Sequence, residues 1–355
     1  MRTGTLRRVC CLLTVLALLL TAAACGGSTP APMPTESTAV SDVPPSADTA
    51  ALTDAAAYIL RTVPEPQCGP VGGEWAVIGL ARSGCGSTEW FEAYYDSLAA
   101  LVRAQDGVLH ARKYTEYARV VLALTAIGKD PRDVGGYDLL APLGDFDRVT
   151  FQGLNGAVFA LLALDAGGYA VPDAPAGETQ ATRESYLAEI LSYQTLSGGF
   201  SLDADGGDAD VDITAMALCA LAPYCNDAAA ADAARAALLW LSDAQGANGD
   251  YGSAESNAQV LIALAACGIA PEDARFVKNG CSALDALLAY AAPGGGYRHT
   301  AEDAGANPMA SEQALLALAA VARQRAGESS LYGMTSGAAA PHPNLDAVIG
   351  ANEKQ

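Results

Sequence analysis

The chain has 355 residues, with 40 acidic against 20 basic side chains, 51% hydrophobic residues and 6% aromatics. A formal net charge of −20 excludes nucleic-acid binding through a basic face, because such a surface would repel phosphates. So large an apolar fraction also excludes a disordered chain, leaving a globular protein of one large or two ordinary domains.

In chain order, Arg2, Arg7 and Arg8 precede an apolar run over residues 9–24. The run is short for a transmembrane helix and has the length of the apolar core of an export signal. Thr21, Ala22, Ala23 and Ala24 place small residues directly before Cys25. This is similar to the bacterial lipobox, although Ala22 stands where that pattern usually has Leu. The similarity implies lipidation of Cys25 and anchoring to the extracytoplasmic face of a bacterial cell membrane. Residues 1–24 carry three arginines and no acid, so their removal makes the chain more acidic. Residues 25–50, rich in Pro, Ser and Thr without apolar periodicity, read as a solvated tether.

Residues 51–333 hold an internal repeat. Six Ala- and Leu-rich runs end at Leu80, Leu124, Leu164, Leu221, Leu264 and Leu318. Four of them place a glycine four residues later, at Gly84, Gly128, Gly168 and Gly268, where a left-handed helix cap requires it. The runs are apolar nearly all round, which predicts helices buried on more than one face. Amphipathic stretches alternate with them, over residues 52–63, 90–105, 183–194, 228–243 and 282–291, with the weakest at 137–146, interrupted by Pro142 and Gly144. Six inner and six outer helices predict an all-α (α/α)6 toroid, followed by a tail over residues 334–355.

Glycine-aromatic turns lead into several inner helices: Gly198-Gly199-Phe200, Gly249 to Tyr251 and Gly294 to Tyr297. With Gln194 and Gln245 before them, these turns resemble those of the squalene cyclase and protein prenyltransferase superfamily. More closely, Gly73-Glu74-Trp75, the stretch from Asp210 to Met216, Glu255-Ser256 and Glu312-Gln313 resemble bacterial prenyltransferase and squalene oxidase repeat proteins. Those are similar in fold to the helical domain of intrinsic factor and transcobalamin.

The strongest chemical signal is Asp210-Val-Asp212-Ile213-Thr214-Ala215. Cyclases that protonate an alkene carry Asp-x-Asp-Asp-Thr-Ala, and the resemblance makes Asp212 the acid. Ile213 replaces the third carboxyl, and few aromatics line the inner runs, so the expectation is that cyclase chemistry is lost. Prenyltransferase zinc ligands are missing, His299 reading as a solvent-exposed turn residue. The thioester motif of the complement toroid also fails, because Thr88 stands where it needs glutamine. Calcium is the remaining metal for which the chain has candidate ligands, Asp203, Asp205, Asp208 and Asp210, though the spacing fails the EF-hand template. No cofactor is expected.

Polar residues recur where the inner runs begin. Glu74 with Trp75, Arg119, Asn155, Asp210 with Asp212, Glu255 with Asn257 and Gln259, and Glu312 with Gln313 are candidates for a ligand site at the toroid mouth. The resulting expectation is a non-catalytic, lipid-anchored ring that binds a small amphipathic, corrinoid-like molecule or a cell-surface partner. The alternative is an enzyme of the terpenoid cyclase-like superfamily with Asp212 as acid. A second alternative is a structural surface protein.

Overall fold

The computed structural model describes residues 47–335 except Asp205. Cys25, the signal, most of the tether and residues 336–355 lie outside the described residues. No helix among the described residues is long and apolar enough to cross a membrane.

Helix starts are written in the sequence by short polar side chains. Ser87, Asp145, Thr182, Asp210, Asp227, Ser253, Ser282 and Asn307 each accept the backbone N–H three residues on, satisfying a donor with no partner inside the helix. Helix ends follow the glycines: Gly84, Gly128, Gly168 and Gly268 have φ of 71°, 72°, 63° and 72°, a region costly for residues with a Cβ.

Among the described residues twelve α-helices result. The apolar runs form α2 (Glu74–Ser83), α4 (Thr115–Ala126), α6 (Leu154–Ala166), α8 (Val211–Leu221), α10 (Ala254–Ala266) and α12 (Pro308–Arg325). The amphipathic stretches form α1 (Ala47–Thr62), α3 (Thr88–Ala104), α7 (Arg183–Ser192), α9 (Ala228–Ala244) and α11 (Ala283–Ala289). The weak stretch gives only a 3₁₀ turn (Ala141–Gly144) and the five-residue α5 (Phe146–Thr150), as Pro142 and Gly144 dictate. Helix α1 begins at Ala47, so the tether ends before residue 50.

The even-numbered helices pack in series, α2 on α4, α4 on α6, α6 on α8, α8 on α10 and α10 on α12, and α12 returns to α2. This closed ring is the inner layer of an all-α (α/α)6 toroid. Outer helices cover it, α1 on α12, α5 and α7 on α6, α9 on α8 and α11 on α10. The closing contact is tight: a Cβ on Gly79 would meet the Leu315 side chain at 2.9 Å.

The glycine-aromatic turns are structural clamps. The Gln194 amide donates to Gly198 O and Ala233 O at 2.8 and 2.9 Å, and the Gln245 amide to Gly249 O and Phe276 O, both at 2.9 Å. Each glutamine ties its turn to the next part of the outer layer. On the inner side, Phe200 N–H donates to Thr214 Oγ1 at 2.8 Å and Tyr297 N–H to Ser311 Oγ at 2.9 Å. Thr214 is therefore a buried anchor of the turn; the helix cap is Asp210.

At the opposite end the chain returns as a strap. Arg82 donates to Leu331 O, Ser330 O and Gly333 O, Arg323 donates to Ser329 O, and Met334 N–H donates to Ala166 O. Leu331 is buried beneath the ring, so the fold extends into the expected tail as far as residue 334.

Candidate active site

The repeat sets the geometry of the inner wall. Counting back five residues from each final leucine gives Trp75, Arg119, Phe159, Met216, Gln259 and Gln313. Nine residues back lie Val71, Thr115, Asn155, Asp212, Glu255 and Met309, one helical turn nearer the mouth. All these residues keep some solvent exposure, the least being 6% at Gln313 and 7% at Arg119. Two contacts tie residues of different repeats together. The Trp75 and Phe159 rings lie 5.7 Å apart although α4 stands between their helices, and Gln259 Nε2 donates to Gln313 Oε1 at 2.7 Å.

Two residues back from the leucines the wall closes. Ile78, Leu122, Leu162, Cys219, Ile262 and Leu316 are all 6% exposed or less. The inner wall is thus apolar and closed toward the ends of the inner helices and keeps some exposure where they begin. Trp75 and Phe159 stand on α2 and α6, and the carboxyls of Asp212 and Glu255 on α8 and α10.

Asp212 is half-buried, and its Oδ1 is shielded from solvent without a hydrogen-bond partner. Burial pushes its carboxyl above the usual aspartate range, a hydrogen bond from Ser256 pulls it back, and the Asp210 and Glu255 charges push it up again. Glu255, at the corresponding position of the next inner helix, accepts from His299 Nδ1 at 2.8 Å. That bond and the Glu255 charge raise the His299 imidazole above its ordinary value.

The expected mouth residues separate into groups. Trp75, Asn155, Asp212, Glu255, Gln259 and Gln313 fall on the inner-wall register. Arg119 also falls on it, but its guanidinium is spent on Glu74, at 2.8 Å, and on Glu116. Glu74 is fully buried, accepting from Gly69 N–H, Tyr94 OH and Arg119. Glu312 is buried with Oε1 accepting from Gly72 N–H at 2.7 Å, and Asn257 is buried with its amide on Asp250 and Ser253 O. Asp210 caps α8 through Ile213 N–H. For calcium, no group of three or more metal-ligating side chains occurs among the described residues, and Asp205 lies outside them.

Phe159, Met216, Met309, Ser256 and His299 were not among the expected site residues. The first three could have been found by counting back from the repeat leucines. His299 is 51% exposed on its side chain but is held on Glu255, which no local sequence signal reveals.

Among solved structures, the chain is similar to the type II terpene cyclase MstE from Scytonema. A ligand-free variant of that enzyme matches with 14% identity over 78% of this chain and 97% of that chain, at a TM-score of 0.49. A second variant, in complex with its product merosterolic acid A, matches with 14% identity over the same shares at 0.48. No protein-family model and no curated protein matches. The expectation of a non-catalytic, corrinoid-binding ring is corrected here by the site itself: the Asp212 carboxyl keeps one oxygen shielded from solvent with no donor, and Trp75 and Phe159, the few aromatics of the inner runs, meet with ring centroids 5.7 Å apart. Ile213, in place of a third carboxyl, is buried at 5% exposure.

Proposed function

We propose that the ring is an acid catalyst of the type II cyclase kind, in which Asp212 protonates an electron-rich double bond of a linear, largely apolar substrate. The observation that carries this is the Asp212 carboxyl, on the inner wall with one oxygen shielded from solvent and free of any donor. A carboxyl in that setting favours its protonated form and spends little of its acidity on water. The cation formed by protonation would face the Trp75 and Phe159 rings, whose negative π faces attract positive charge. The closed, apolar end of the inner wall supports the same reading, since a sealed end protects a reactive cation from water.

The test is incubation of the full chain with farnesol, geranylgeraniol and squalene in D2O, with products read by mass spectrometry. The expected result is one carbon-bound deuterium per isomerised or cyclised product. Asp212→Asn should lower that uptake roughly 100-fold or more, the usual range for loss of a general acid. Uptake in wild type should fall as pH rises, because the acid must be protonated. Equal uptake in wild type and Asp212→Asn would remove Asp212 from the reaction.

We also infer that residues 1–24 direct export and that Cys25 carries the lipid anchor, supported by the small residues that precede it. Cys25→Ala should move the protein from the membrane fraction to the soluble fraction of a bacterial host. Unchanged partitioning would refute the anchor.

A further inference from the structure

An acid that gives up its proton must recover one, and the cation it makes must lose one or capture water. The first turn of α10 faces this problem. Glu255 sits on the wall register directly beside Asp212 in the ring, and inner helices in contact run about 8–10 Å apart. Ser256, the next residue, lies close enough to Asp212 to pull its carboxyl back down, and its Oγ accepts from Ser253 Oγ at 3.0 Å. The two carboxyls have opposite environments. Asp212 has an oxygen with no donor, whereas Glu255 accepts from His299 Nδ1 at 2.8 Å. Neighbouring carboxyls in such different surroundings can divide the work of acid and base.

We propose that Glu255, hydrogen-bonded to His299, is the base that ends the reaction Asp212 begins. This rests on the acid reading above. The steps balance between the pair and solvent. The Asp212 O–H bond breaks and a C–H bond forms from the alkene π electrons, leaving a carbocation and the Asp212 carboxylate. Glu255 then takes a proton from a carbon next to the cation; that C–H pair becomes the new double bond, and Glu255 is left as the acid. Glu255 releases that proton to solvent and Asp212 takes one from solvent, which restores the starting state with no other reactant consumed and supplies deuterium to each turnover in D2O. The product is an isomeric alkene with no oxygen added. Glu255 is the catalytic residue of this step and His299 a positioning residue acting through it.

The experiment reads the ratio of alkene product to deuterium uptake for the farnesol, geranylgeraniol and squalene panel in D2O containing ¹⁸O-labelled water. Wild type should give alkene without ¹⁸O. Glu255→Gln should lower the alkene ratio at least tenfold, the trapped cation appearing instead as ¹⁸O-labelled alcohol. His299→Ala should shift the ratio the same way by a smaller factor, and His299→Asn, whose amide can replace Nδ1–H, should restore most of it. Unfolding temperatures should be unchanged, because both side chains lie at the solvent edge of the wall. If Glu255→Gln leaves the ratio unchanged while deuterium uptake still depends on Asp212, the base is not Glu255 and the acid reading stands. If wild type takes up no deuterium, both fall together.

Discussion

Replacing Arg119 by methionine should lower the unfolding free energy by about 3–5 kcal/mol, the cost of leaving one member of a buried ion pair alone. Glu74 is fully buried and Arg119 is 7% exposed, so water reaches neither charge well. Burial pulls the Arg119 guanidinium down, but Glu74 and Glu116 outweigh it and hold it above its ordinary value. Glu74 collects Gly69 N–H, Tyr94 OH and Arg119 Nε around one carboxylate, joining the loop before α2 to α3 and α4. Without the guanidinium, that carboxylate keeps two neutral donors and no counter-charge. In a domain of this size the loss corresponds to roughly 10 °C in unfolding temperature. Adding Glu74→Gln to Arg119→Met should recover most of it, because a neutral amide can keep the Tyr94 and Gly69 bonds. Thermal unfolding at pH 7 checks both variants. A single variant that melts within about 2 °C of wild type would show that the pair adds little.

Replacing Glu312 by glutamine should do the reverse, stabilising the protein, and only above acid pH. Burial pushes the Glu312 carboxyl up to about 7, against a partial pull down from the Gly72 N–H bond and a further push from Glu74. Its Oε2 is buried without a partner, as expected of a group more comfortable protonated than charged. The folded state therefore holds a proton that the unfolded chain has already released between pH 4.5 and about 7. Wild-type stability from this group is complete below that window, falls as pH rises through it and is flat above it. A shift of this size amounts to about 3 kcal/mol. Glutamine keeps an oxygen for Gly72 N–H and carries no charge. The variant should match wild type at pH 4 and exceed it by up to about 3 kcal/mol at pH 8. Denaturant unfolding of both proteins at the two pH values gives the difference, and groups common to both cancel. A pH-independent difference would mean that Glu312 does not titrate in this range.

Both predictions concern joints between repeats, Glu312 joining the last to the first and Arg119 the second to the first. Gly72 and Glu312 are 240 residues apart in sequence, and Arg119 and Glu74 are 45 apart. Sequence reading marked these side chains as polar groups at helix entrances and assigned them to a ligand. The structure gives five of the entrance residues, Glu74, Arg119, Asp210, Asn257 and Glu312, to the framework, because a polar atom buried by packing takes whichever partners the packing brings. Asp212 and Glu255 differ in kind, since they occupy the one helical face that the ring leaves partly wet. The register was present in the spacing of the leucines, but which face points inward depends on ring closure.

Helix existence, alternation and ends were legible because they depend on neighbours a few residues away. A run of alanine and leucine can be buried on several sides, an Asp or Ser can cap the helix that follows it, and a glycine can turn left-handed wherever the chain needs it. The doubt cast on acid chemistry came from the same local reading: Ile213 was counted as a lost carboxyl, and the scarcity of aromatics as a missing wall. Only the tertiary structure brings Trp75 of the first repeat against Phe159 of the third, sets Ser256 and Glu255 of the fifth beside Asp212 of the fourth, and ties the C-terminal strap to α2, α6 and α12. Those meetings are decided by how six similar helices close into a ring, and a repeated local pattern is nearly the same whether the ring closes or not.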